Sequence, residues 1–171
     1  TEADGAAADS RRIRFGNGIT GDLFFPAAMA ADAKLAAVVW LHGYSYPLGY
    51  MWVYRRDPHP VLALVKAGYA VLAFDQGGFG ARPSEIGPFY DRTPHASQLG
   101  RMVGDVRAAV DTLEKEANID ATRISLFGYT LGAAVALHAA ALDPRVQSVV
   151  AISGFTPLRT DTAARPDGRL A

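Results

Sequence analysis

The stretch RISLF at 123–127, GYTLG at 128–132 and AAVALHAAAL at 133–142 decides the fold. A short apolar run is followed by two glycines that bracket Thr130, and then by a small-residue apolar run that reaches Leu142. The pattern reads as a strand over 123–127, a sharp reversal, and a helix over 130–142. Gly128 and Gly132 flank the reversal because a Cβ at either place would collide across so tight a turn. Thr130 would then stand exposed above the carboxyl edge of a sheet. The helix behind it would present unpaired N–H groups and a positive dipole end at that point. As a bare spacing the two glycines say little; their place between a buried strand and a helix makes the signal specific. An ordinary glycine-rich turn without chemistry is the competing reading.

Working outward, the same alternation recurs. Residues 12–15 and 19–25 read as two strands joined by the turn signal Gly16-Asn17-Gly18. KLAAVVWL at 34–41 and YAVLAF at 69–74 are apolar runs suited to strands covered on both faces, and VQSVVAI at 146–152 reads as a further strand. Residues 59–67 read as a helix with Pro60 in its first turn and Gly68 as its stop. Residues 97–117 carry Leu99, Met102, Val103, Val106, Val110 and Leu113 at helical spacing. The glycine- and proline-rich stretch 75–94 is long for a plain connection and is a candidate for shaping a site. Residues 1–11 read as a disordered lead-in, and 12–171 as a single domain. Strands alternating with helices define an α/β class, with a mostly parallel sheet and helices on both faces.

Composition narrows the function. The chain has 171 residues and a formal net charge of zero, so no electrostatic argument points to nucleic acid or an anionic membrane. No apolar run approaches the ~18 residues of a membrane span. Cysteine is absent, which excludes thiolate metal sites and leaves the compartment open, cytoplasmic or secreted and periplasmic alike. The four histidines show no ligand spacing with carboxylates, so no metal site and no cofactor is expected. Gly77-Gly78-Phe79-Gly80 follows a strand as a phosphate loop would, but Pro83 and more loop follow it instead of a helix.

With LHGYSY at 41–46, YAVLAFDQGGFG at 69–80, the helix around 99–113 and RISLFGYTLGAAVAL at 123–137, the chain resembles the α/β-hydrolase superfamily. Within it, the resemblance is to dienelactone-hydrolase-like and acetylxylan-esterase-like carboxylesterases. Gly128 to Gly132 then corresponds to the nucleophile elbow, with threonine where serine is expected. The resemblance implies hydrolysis of a small-molecule carboxylic ester through an acyl-enzyme on Thr130. It also implies an oxyanion hole from the backbone N–H groups of Tyr44 and Leu131, with His42 organising the loop. The aromatic loop, Tyr46 and Trp52 above all, would line the substrate pocket, together with Tyr44, Tyr50 and Tyr54. The segment 75–80 resembles the family's D-x-R-G-x-G turn, with Gln76-Gly77 leaving no arginine there and Asp75 capping the turn.

Two departures qualify the activity. Threonine is β-branched, ill suited to positive φ, and its methyl crowds the oxyanion pocket, a handicap of about 10²-fold in rate. The acid and histidine of a triad would follow the elbow, yet only His138, Asp143, Asp161 and Asp167 do so. His138 lies ~12 Å further along the same helix and is expected to pack there. Acid and histidine are therefore expected from sequence outside this chain, and the fold to lack its usual C-terminal strands. The strand 146–152 would form an apolar edge, which natural proteins avoid. A second chain or a further C-terminal segment is expected to complete the sheet. A non-catalytic binding or scaffold protein that kept the fold is the alternative.

Overall fold

Three apolar strands lie side by side at the centre of the sheet: β4 (Ala70–Phe74), β3 (Leu35–Leu41) and β5 (Ile119–Tyr129). The computed structural model describes residues 8–51 and 59–154. To the centre are added β1 (Ala8–Phe15), β2 (Ile19–Pro26) and β6 (Val146–Ile152), and the helices α1 (Pro60–Lys66), α2 (Phe89–Arg92), α3 (Gln98–Glu114) and α4 (Leu131–Leu142). The six strands run in the order β1-β2-β4-β3-β5-β6. β1 and β2 form an antiparallel hairpin and β2 joins β4 antiparallel, while β4, β3, β5 and β6 are parallel neighbours.

Side chains alternate between two apolar layers, as the period of a strand demands. On one face Leu72, Phe74, Val39, Leu41 and Leu126 pack with Val106 and Val110 of α3 and Val135 of α4. On the other, Val71, Ala73 and Trp40 pack with Val61 and Val65 of α1. Each such aliphatic side chain, fully buried, stabilises by about 1.5–3 kcal/mol. The expected mostly parallel sheet with helices on both faces is therefore what the chain forms. Helix α3 starts where Ser97 accepts a hydrogen bond from the Gly100 N–H at 3.3 Å, a side-chain N-cap.

Several boundaries differ from the expectation. β1 begins at Ala8, so residues 8–11 are strand and not lead-in. The pairing runs from Ala8 opposite Pro26 to Phe15 opposite Ile19, and Arg11 pairs with Glu116 and lies over the Phe25 ring. Polar residues on an edge strand hid that pairing from a hydrophobicity argument. β5 begins at Ile119 and not at Arg123; within it Asp120 accepts from Thr122 N–H at 3.0 Å and the register against β3 shifts. The stretch 75–94 contains a 3-10 turn at Pro83–Glu85 as well as α2.

The two edges contrast. β1 carries Arg11, Arg12 and Arg14, the charge that discourages further pairing. β6 carries Val150 and Ile152, which are 45% and 42% exposed.

Candidate active site

β5 delivers the chain into a reversal that only two glycines permit. A Cβ on Gly128 would lie 2.3 Å from the Gly132 carbonyl oxygen, and one on Gly132 would lie 2.1 Å from the Leu41 oxygen. Between them Thr130 takes φ 48° and ψ −111°, close to the first central residue of a type II′ turn, a place normally held by glycine. Its backbone is fully engaged. The Thr130 N–H donates to the Ile152 oxygen at 2.8 Å, and its carbonyl accepts from Ala133 and Ala134 at 3.1 Å each. Its side chain does not cap α4. Instead Oγ1 stands over Gly43, where a built Cβ would be 2.2 Å away. The ends of β3 and β5 thus converge on one hydroxyl, at the N-terminus of α4. The N–H groups of Leu131 and Gly132 precede the first intrahelical bond and point out of the helix end.

The loop leaving β3 is held by His42, 2% exposed. Its Nε2 accepts from the Gln76 backbone N–H at 3.0 Å. The proton must therefore be on Nδ1, which donates to the Gly43 oxygen at 2.7 Å. Ser45 Oγ, 3.0 Å from Nδ1, can then only accept, so Ser45 gains no base from this ring. Burial pushes the imidazole below its ordinary value, partly offset by the bond to Gly43 and by Asp75. His42 is a neutral organiser of the loop, as expected. Because a trans peptide points its C=O and N–H in opposite directions, holding the Gly43 oxygen against the ring turns the Tyr44 N–H away from it. The Tyr44 ring is half-buried, edge-on to Phe79 at 6.0 Å.

Asp75 caps the turn after β4. It accepts from Tyr50 N–H and Ala81 N–H, both at 2.8 Å. An arginine does reach this turn, contrary to expectation: Arg82 donates to the Asp75 carbonyl at 2.9 Å and pairs with Glu85 and Asp105. It arrives from outside the motif, so motif matching could not find it.

The aromatic loop is corrected in one place. Tyr50 is 6% exposed and packs with Trp40 and Val61, its hydroxyl donating to Asp22, so it belongs to the core and not to a pocket lining. Burial and Asp22 push its phenol up to about 12. Tyr46 opens the 3-10 turn Tyr46–Met51, while Trp52 and Tyr54 lie outside the described residues.

The other titratable candidates are placed elsewhere. His138 is exposed, not packed, and donates from Nδ1 to the Ala134 oxygen at 2.7 Å. His59 caps α1, accepting from Val61 N–H at 3.2 Å. Asp143 is 2% exposed at the far end of α4 and pairs with Arg145 at 2.6 Å. Asp161 and Asp167 lie outside the described residues. Among the described residues no group of three or more His, Cys, Asp or Glu could hold a metal ion. One feature beside Thr130 was missed in the sequence. Ser153 has φ 56°, and Tyr129 pairs with Ile152, so Ser153 and Thr130 follow neighbouring strand ends. They are the two non-glycine residues at positive φ among the described residues.

This is the α/β-hydrolase fold, with a strained hydroxyl residue at the carboxyl edge of its central strands. The chain belongs to the family described as serine aminopeptidase, S33, which matches residues 32–170. It is 35% identical over 124 residues to a thiohydrolase of Arthrinium phaeospermum, covering 72% of this chain and 36% of that protein. It is 32% identical over 148 residues to the 20-hydroxy-prefusarin hydrolase of Gibberella moniliformis, covering 86% and 33%. Its fold is similar to that of an acetyl xylan esterase from Paenibacillus, with TM-score 0.57 and 20% identity over 86% of this chain and 54% of that one. The chain spans about a third of the length of these curated relatives.

Proposed function

We propose that this chain carries the nucleophile and oxyanion half of a hydrolase that cleaves carboxylic esters. The observation that carries the reading is the position of Thr130 Oγ1, released from capping, over Gly43 at the N-terminus of α4. There it attacks an acyl carbon while the N–H groups of Tyr44 and Leu131 stabilise the developing oxyanion, with no cofactor. Relatives named a thiohydrolase and a hydrolase, and a structural neighbour named an esterase, support acyl transfer. The family's description names a peptidase. An ester suits a handicapped nucleophile better, because an alkoxide leaves with less help from a general acid than an amine does. Tyr46 and Trp52 are assigned to the substrate pocket on the resemblance alone.

Neither His42 nor His138 is placed to be the general base: both ring nitrogens of His42 are engaged, and His138 lies ~12 Å along α4. We assign acid and base to polypeptide outside this chain, joined at the β6 edge, whose Val150 and Ile152 face solvent. The intact mass of the native protein tests that assignment; a native mass equal to this chain alone would refute it. For the activity, a fluorophosphonate probe should label Thr130 in the native assembly, and Thr130→Ala should abolish labelling. An unlabelled wild type would favour the alternative, a non-catalytic protein that kept the fold.

A further inference from the structure

We propose that Gln76 is a positioning residue for the oxyanion loop, clamping His42 so that the Tyr44 N–H is presented to the acyl group on Thr130. The proposal rests on the hydrolase reading above. Gln76 is 1% exposed and grips His42 at two points. Its backbone N–H donates to His42 Nε2 at 3.0 Å, and its side-chain Nε2 donates to the His42 carbonyl at 2.5 Å. The first bond sets the tautomer, so that the Nδ1–H donates to the Gly43 oxygen at 2.7 Å. The second fixes the peptide that enters the loop. Together they leave the Gly43–Tyr44 peptide one orientation, carbonyl toward the ring and N–H away from it.

The orphaned atom of the same side chain shows what the amide is for. Gln76 Oε1 is buried without a hydrogen-bond partner among the described residues. The amide cannot turn to relieve this, because the His42 carbonyl needs a donor. An apolar side chain would fill this place in a core without leaving an acceptor unpaired. The gain from glutamine is therefore the clamp on His42.

The test uses the native protein and the variants Gln76→Met and Gln76→Glu. Methionine keeps an unbranched chain of similar volume without a donor. A buried glutamic acid holds its proton more tightly than an exposed one and can still donate when protonated. In Gln76→Met, phosphonylation of Thr130 and kcat for an acetyl ester should fall about 10-fold to 100-fold with KM unchanged, since a misplaced oxyanion donor acts on the transition state. Amide exchange at Tyr44 should quicken while exchange in β3 and β5 stays at the wild-type rate. Measured against the wild type at the same pH, Gln76→Glu should approach the wild-type rate toward acidic pH and fall away from it toward alkaline pH. A folded Gln76→Met with wild-type labelling and wild-type Tyr44 exchange would overturn the proposal. If the wild type itself is neither labelled nor active, the hydrolase reading fails, and Tyr44 exchange alone decides the role of Gln76.

Discussion

Thr130 Oγ1 stands so close over Gly43 that a Cβ built on the glycine would lie 2.2 Å from it. The same Cβ would meet Tyr129 Cδ1 at 3.1 Å. Gly43→Ala should therefore cost about 1–3 kcal/mol in denaturant unfolding, as overpacking does. Adding Thr130→Ala should recover part of that loss, the Tyr129 contact remaining. A double-mutant cycle with no coupling between the two positions would mean that the hydroxyl does not occupy this place.

Thr130→Ser removes the methyl and keeps the hydroxyl at φ 48°. If Thr130 is a hindered nucleophile, the serine variant should be labelled by a fluorophosphonate about 10²-fold faster than the wild type. Peptide mapping must place the adduct at position 130. A serine variant no faster than the wild type would show that the β-methyl does not limit the site.

The sheet was legible in the sequence because β3 and β4 are continuous apolar runs and α3 keeps its helical spacing. The reversal at Thr130 was legible because Gly128 and Gly132 are there for steric reasons that any such turn imposes. What sequence could not show is what depends on long-range placement. Residues 8–11 look like a polar tail until Pro26 and Leu23 lie opposite them. Tyr50 reads as one more loop aromatic until Asp22, on β2, takes its hydroxyl. Arg82 reaches the Asp75 carbonyl only once the loop has folded back. Ser153 gave one faint signal, the turn-forming pair Ser153-Gly154.

Ser153 itself offers a stability test. A non-glycine residue at φ 56° is strained by about 1–2 kcal/mol. Ser153→Gly relieves the strain and loses some of the gain to the freer unfolded chain. A net stabilisation of about 0.5–1 kcal/mol is expected, read as a higher denaturant midpoint at unchanged slope. Destabilisation on this change would mean that the serine side chain makes contacts worth more than the strain.

Acid should loosen the His42 loop. The folded imidazole is held below its ordinary value of 6.5 by burial. As pH falls below 6.5, the unfolded chain takes up a proton that the folded chain refuses, so stability present above that value is lost. The loss ends once pH has passed through the lower folded value, where both states are protonated. Protonation would also put a proton on Nε2, facing the Gln76 N–H that now donates to it. His59 is shifted the same way by burial. His59→Asn removes that second imidazole and keeps a side-chain cap on α1. In this background unfolding free energy should still fall with pH below 6.5, and Tyr44 amide exchange should quicken in step. A flat stability profile there would show that His42 titrates like a solvent-exposed histidine and does not hold the loop as a neutral ring.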